Sequence, residues 1–243
     1  MAWRINKKIE KKKGILIQGL PGIGNVGRIV VEYMIEELKA KRIGSYIEKE
    51  KPAVLFINEE GIEEPIIEIY HAKKKNLYLI KGNYQPINEK NMWRYASETI
   101  TLAKKMGINK VITIGGVASD RDTNNPNVYI TGTSKELIEE LVKNGANKKI
   151  YGVIGSIMGA AGILLVEAKK KGIKAATLLG ETTQDLLPGL RATKKILKIL
   201  SKTYNIDINT RDIEKEIRKG KAIMRRLVDS EKEKKEVETS YIG

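Results

Sequence analysis

Cysteine is absent from the 243 residues, and histidine and phenylalanine each occur once. Each scarcity excludes something. Without cysteine there is no disulfide scaffold, no thiolate zinc ribbon and no cysteine nucleophile, and one histidine cannot build a histidine-rich metal site. His71 stands beside the Lys73–Lys75 run with no serine or aspartate at triad spacing, so it is predicted to be a surface residue. No apolar run approaches the roughly 20 residues that cross a bilayer. Residues 1–13 are basic and contain nothing like the apolar stretch of a signal peptide. The expectation is a soluble, cytoplasmic protein with no membrane partner, no metal, no cofactor and no catalytic residue set.

What is present is charge and aliphatic bulk. Forty-five Lys and Arg oppose 30 Asp and Glu, a net +15, while 41% of residues are hydrophobic, which is apolar enough to build a core. Many Lys, Glu and Ile without Cys is the balance of a heat-adapted protein. The positive charge is not one patch: residues 1–13 carry +5, residues 201–243 carry +2, and the body carries the remaining +8, much of it at predicted helix ends such as Lys104-Lys105, Lys143 and Lys169-Lys170-Lys171. The aromatics are scattered and no nucleic-acid-binding motif is visible, which argues against a nucleic-acid partner.

The chain divides into a basic arm (1–13), an α/β core (14–205) and a charged helical extension with a tail (206–243). In the core, Gly14–Gln18 reads as a buried strand entering Gly19-Leu20-Pro21-Gly22-Ile23-Gly24-Asn25-Val26-Gly27, followed by a helix from about Arg28 to Lys41 that Gly44 stops. Ala53–Asn58, Pro65–Tyr70 and Asn76–Lys81 are strand-like, their short spacing implying a local antiparallel pair. A helix from Asn88 to Met106 leads to a strand Lys110–Ile114 ending in Gly115-Gly116. Val128–Ile130, a helix capped by Ser134, a strand Lys149–Ile154, a glycine-rich loop Gly155–Gly162, a helix to Lys171 and a strand Lys174–Leu179 follow. Ala103–Ile108 and Ala168–Ile173 repeat the same helix-stop chemistry before a strand. This alternation predicts a three-layer α/β/α sandwich around a mostly parallel sheet. Thr210 is read as the cap of a long charged helix with Ile213, Ile217, Gly220, Met224 and Leu227 in a heptad-like stripe.

Gly22-Ile23-Gly24-Asn25-Val26-Gly27 matches G-x-G-x-x-G between a strand and a helix, where backbone N–H groups can meet a phosphate. Glu48 or Glu50 stands where the ribose-binding acid of such sites occurs. The alternative is close packing of the helix on its strand. Gly22, Gly24, Asn25 and Gly27, with Glu181 and Thr182 beyond a strand end, are therefore a candidate ligand or anion loop. The Gly155–Gly162 run offers the same choice, with packing favoured.

Four runs stand in order between about Lys13 and Leu200: Gly19–Gly27, Gly82-Asn83-Tyr84-Gln85-Pro86, Ile114-Gly115-Gly116 and Leu178-Leu179-Gly180-Glu181-Thr182. In these runs the chain resembles the archaeal branch of the proteasome assembly chaperone family. The resemblance implies a non-enzymatic protein with a fold akin to purine nucleoside phosphorylases that self-associates and, in some members, binds the α-subunit ring of the proteasome. Ring-binding members end in a hydrophobic residue, Tyr and any residue. This chain ends Tyr241-Ile242-Gly243, with Tyr one place earlier, so those three residues are the expected partner-binding tip. A nucleotide- or nucleoside-binding enzyme or sensor on the same scaffold is the alternative.

Overall fold

A computed structural model describes residues 3–7, 11–48, 50–58, 61–119, 125–182 and 189–219. Among these, eight strands form one sheet: β1 (Trp3–Ile5), β2 (Gly14–Gly19), β3 (Lys41–Tyr46), β6 (Ile67–Ala72), β7 (Leu77–Gly82), β8 (Ile108–Ala118), β9 (Val128–Gly132) and β10 (Lys174–Thr182), in the order β1-β3-β6-β7-β2-β8-β10-β9. A separate hairpin pairs β4 (Phe56–Asn58) with β5 (Gly61–Glu63). The centre, β7-β2-β8-β10, is parallel and the flanks are antiparallel. In direction, β2, β3, β7, β8 and β10 run one way and β1, β6 and β9 the other.

Helices cover both faces. α1 (Val26–Glu37), α3 (Lys135–Val142) and α5 (Leu190–Tyr204) pack together on one side, and α2 (Glu89–Lys105) with α4 (Ala160–Lys170) on the other. The three-layer sandwich follows from the strand sequences. Leu16 aligns with Tyr78 and Val111, and Ile17 with Leu79 and Ile112; all six are buried, one row under each helix layer. Parallel strands buried on both faces need such unbroken apolar runs. Asn88 and Ser134 cap α2 and α3, their side chains accepting from the Asn91 and Leu137 N–H groups.

Several boundaries differ from the sequence expectation. Within the basic arm, Trp3–Ile5 forms edge strand β1 against β3, with Trp3 buried. α1 ends at Glu37, and Gly44 sits inside β3 instead of stopping a helix. β8 runs on through Gly115-Gly116 to Ala118, because β10 pairs beside it as far as Thr182. Ala53–Asn58 shortens to Phe56–Asn58. Lys149–Ile154 is a turn: among the described residues no strand pairs with it, Val153 N–H bonds back to the Ile150 carbonyl, and Tyr151 is fully exposed. α5 had no counterpart in the sequence pattern. His71 is half-buried, stacked on Tyr78 at 4.3 Å, its Nε2 donating to Asn76 Oδ1 at 3.0 Å.

The chain divides into two units at Ile208/Asn209. Of the second, a helix is described over 211–219, with Asn209 Oδ1 accepting from Arg211 N–H and the Thr210 carbonyl from Glu214 N–H. The stripe residues Gly220, Met224 and Leu227 and the tip Tyr241, Ile242 and Gly243 lie outside the described residues. Among the described residues no helix is long and apolar enough to cross a membrane.

Candidate functional site

Open parallel sheets bind ligands beyond the carboxyl ends of adjacent strands whose helices leave to opposite faces. Here those strands are β2, leading to α1, and β7, leading to α2. The crevice between them is bridged by protein. Gln85 Nε2 donates to the Pro21 carbonyl at 2.9 Å, and Gln85 Oε1 accepts a longer bond from the Ala160 N–H at 3.4 Å, the first residue of α4. At Gly159 (φ 84°) a Cβ would stand 2.8 Å from Gln85 Oε1, so glycine makes the room that Gln85 fills.

The glycine motif of α1 is close-packed around this point. A Cβ on Gly27 would lie 2.3 Å from the Ile114 carbonyl oxygen, and one on Gly19 only 1.9 Å from the Gly27 oxygen. Gly24 (φ 60°) faces Thr182, whose Cγ2 is 2.8 Å from its Cβ position, and the Gly24 carbonyl accepts from Gly189 N–H at 2.7 Å. Gly22 is different: it is extended, and a Cβ placed on it would meet nothing within 4 Å. Asn25 adopts left-handed backbone (φ 51°), is exposed, and makes no side-chain cap. Thus Thr182 joins the glycine turn. Glu181 instead spends its carboxylate on internal bonds, accepting from Asn127 N–H, Asn127 Nδ2 and Tyr129 OH at 2.8 Å, 3.1 Å and 3.0 Å.

The residues flanking Gln85 tie down a second element. Asn83 Oδ1 accepts from Ile66 N–H and its Nδ2 donates to the Glu64 carbonyl, both at 2.8 Å. Tyr84 OH donates to Glu48 Oε2 at 2.9 Å. Glu64 directly follows β5 and Glu48 lies just past β3 on the segment that leads to β4, so Asn83-Tyr84-Gln85 fastens the two segments flanking the hairpin, the glycine loop and the start of α4. The sequence quoted this run without assigning its side chains a role. The available signal was three amide or hydroxyl side chains in a row at the end of a buried strand, where polar groups need partners. Among the described residues, no group of three or more His, Asp or Glu is placed to hold a metal ion.

Glu48 is therefore a buried structural carboxylate. Burial pushes its carboxyl above the usual range and Glu50 adds to this; the Tyr84 hydroxyl, Arg94 and Asn91 oppose it. A raised folded-state value means that ionised Glu48 subtracts stability at neutral pH, a cost that disappears as pH falls through that value. Glu48→Gln is expected to melt above wild type at pH 7, the advantage shrinking towards pH 4. A melting curve at each pH checks this, and a variant melting below wild type at pH 7 contradicts it.

Comparison with known proteins decides the family: residues 16–228 match the PAC2 family. The chain belongs to the PAC2 family. A relative in Methanocaldococcus jannaschii, an uncharacterized protein, is 32% identical over 206 residues, 84% of this chain and 79% of the relative. Among solved structures, the fold is similar to Pyrococcus furiosus PbaB, an archaeal proteasome activator (TM-score 0.83, 25% identity, covering 93% of this chain and 97% of that one). It is also similar to Pyrococcus furiosus PbaA, an archaeal homolog of proteasome-assembly chaperone (TM-score 0.79, 26% identity, 99% and 98% covered). The strand ends that fill the β2/β7 crevice are thus part of a PAC2 fold.

Proposed function

We infer that this PAC2 protein is a non-enzymatic, cytoplasmic, proteasome assembly chaperone-like protein that self-associates and binds proteasome α subunits through its C-terminal helix and tail. The similarity to PbaB and PbaA over nearly the whole chain carries the reading. The filled crevice supports it: where a nucleotide would lie between β2 and β7, Gln85 is bonded across the gap, and Glu181 is engaged by Asn127 and Tyr129. The segment Tyr241-Ile242-Gly243 supplies an aromatic anchor, and several such segments on one assembly add avidity.

The test is capture. Immobilised protein is expected to retain purified proteasome α-subunit rings, and deletion of Tyr241–Gly243 to weaken that retention at least tenfold, about 1.4 kcal/mol per tenfold. Retention unchanged by the deletion removes the tail from the mechanism. Nucleosides and nucleotides at millimolar concentration are expected to leave the melting temperature unmoved, and a stabilising shift would favour the ligand loop Gly22, Gly24, Asn25, Gly27, Glu181 and Thr182 instead.

A further inference from the structure

The β4–β5 hairpin turns apolar side chains to solvent. Ile57 and Ile62 are cross-strand partners, so they share one face, and they are 84% and 75% exposed. Val54 and Leu55, on the approach to β4, are also exposed. Phe56, between them, points the other way and packs against the main core. A two-stranded hairpin is marginal by itself. This one is fastened at its base by the Asn83 and Tyr84 bonds and by the Lys51–Glu64 ion pair at 3.1 Å. Such fastening presents the isoleucine pair in one conformation, which lowers the ordering cost of docking.

The charge around it is opposite to that of the chain. Residues 52–65 contain four Glu and no Lys or Arg, so the rest of the chain carries +19. A matching surface is apolar and basic, and the chain itself has one. On the outer side of α2 and α4, Trp93 and Val166 are 42% and 43% exposed, with Lys170 Nζ 5.1 Å from the Trp93 ring centroid and Lys90, Lys104 and Lys169 exposed on the same two helices.

We propose that the acidic isoleucine hairpin docks on the basic α2–α4 face of a second copy of this chain. The proposal names the surface for the self-association inferred above and rests on that reading. The contact is head-to-tail: hairpin against hairpin would set glutamates against glutamates, whereas hairpin against helix face pairs opposite charges around an apolar centre. Each copy then offers one donor and one acceptor surface.

Light scattering on the full-length chain after size exclusion tests this. Wild type is expected to run as two or more copies. Ile57→Asp with Ile62→Asp, and separately Trp93→Glu with Val166→Glu, are each expected to run as single copies, with circular dichroism melts confirming that they are folded. If the second variant fails to fold, Lys90→Glu with Lys169→Glu replaces it. The decisive arm is an equimolar mixture of the hairpin and helix-face variants. One keeps its helix face and the other its hairpin, so the mixture is expected to form two-copy species and nothing larger. A hairpin variant that keeps the wild-type mass, or a mixture that stays as single copies, overturns the docking proposal while leaving self-association through another surface. Wild type running as a single copy overturns both, and leaves the capture of α-subunit rings to be decided by its own experiment.

Discussion

Gly27→Ala is expected to lower the melting temperature by roughly 6–12 °C, while Gly22→Ala leaves it within about 2 °C. On propensity alone the first change should help, because alanine is favoured over glycine inside a helix by about 1 kcal/mol. The packing reverses the sign. A methyl at Gly27 meets the Ile114 carbonyl oxygen at 2.3 Å, and the Gly27 oxygen is itself pressed against Gly19. Backbone cannot rotate away as a side chain can, so α1 must lift from β8 at a cost of about 3 kcal/mol, and a chain of this size loses about 2–4 °C per kcal/mol. Gly22 has extended backbone and open space, and tolerates the methyl. If the motif served a ligand in place of packing, the open Gly22 would be the sensitive position for binding and Gly27 would be tolerant in the melt. Equal melting of the two variants sinks the packing account.

Trp3→Ala is expected to cost about 3–5 kcal/mol, a fall in melting temperature of roughly 6–20 °C. Trp3 is 7% exposed, donates from Nε1 to Thr99 Oγ1 at 3.0 Å, and meets the Tyr46 ring edge-on at 5.4 Å. Tyr46 in turn packs edge-on to Tyr95 at 5.1 Å. Removing the indole opens a void beside the Tyr46 and Tyr95 rings and leaves the Thr99 hydroxyl without its donor. Trp3→Phe should recover part of the loss, since a six-membered ring stays while the pyrrole half of the indole and the hydrogen bond, a term of about 1 kcal/mol, are lost. Thermal melts of the two variants separate the contributions. A Trp3→Ala protein melting with wild type would mean that the first residues behave as a solvated arm after all.

The parallel centre of the sheet was legible because its strands have no solvent side: Leu16-Ile17, Leu79-Ile80 and Val111-Ile112 have to be apolar at consecutive positions. The edges were not. β1, at the edge, and β3, beside it, contain Arg4, Lys41, Arg42 and Ser45, polar groups that a flanking strand can turn outward, and the same composition reads as an arm or a helix end. The false strand Lys149–Ile154 shows the converse. Its residues suit a strand, but pairing depends on a neighbour that no local pattern reveals. The glycine motif was equally visible, and its meaning was not: the atom that forbids a side chain at Gly27 belongs to Ile114, in a strand 87 positions away. In the same way, Asn83 and Gln85 could be seen as polar residues at a strand end, but their partners Glu64, Pro21 and Ala160 come from three other segments.

The Trp3–Thr99 bond joins residues 96 positions apart. On a ribosome adding about 5–20 residues per second, Trp3 is made about 5–20 s before its partner on α2. During that interval a strand carrying a large indole has no site to occupy, because Tyr46 and Tyr95 are not yet assembled around it. β1 thus cannot complete its contacts until α2 has been made. Its exposure time during translation, and with it the demand on whatever shields nascent chains in the cell, is set by the sequence distance from β1 to α2.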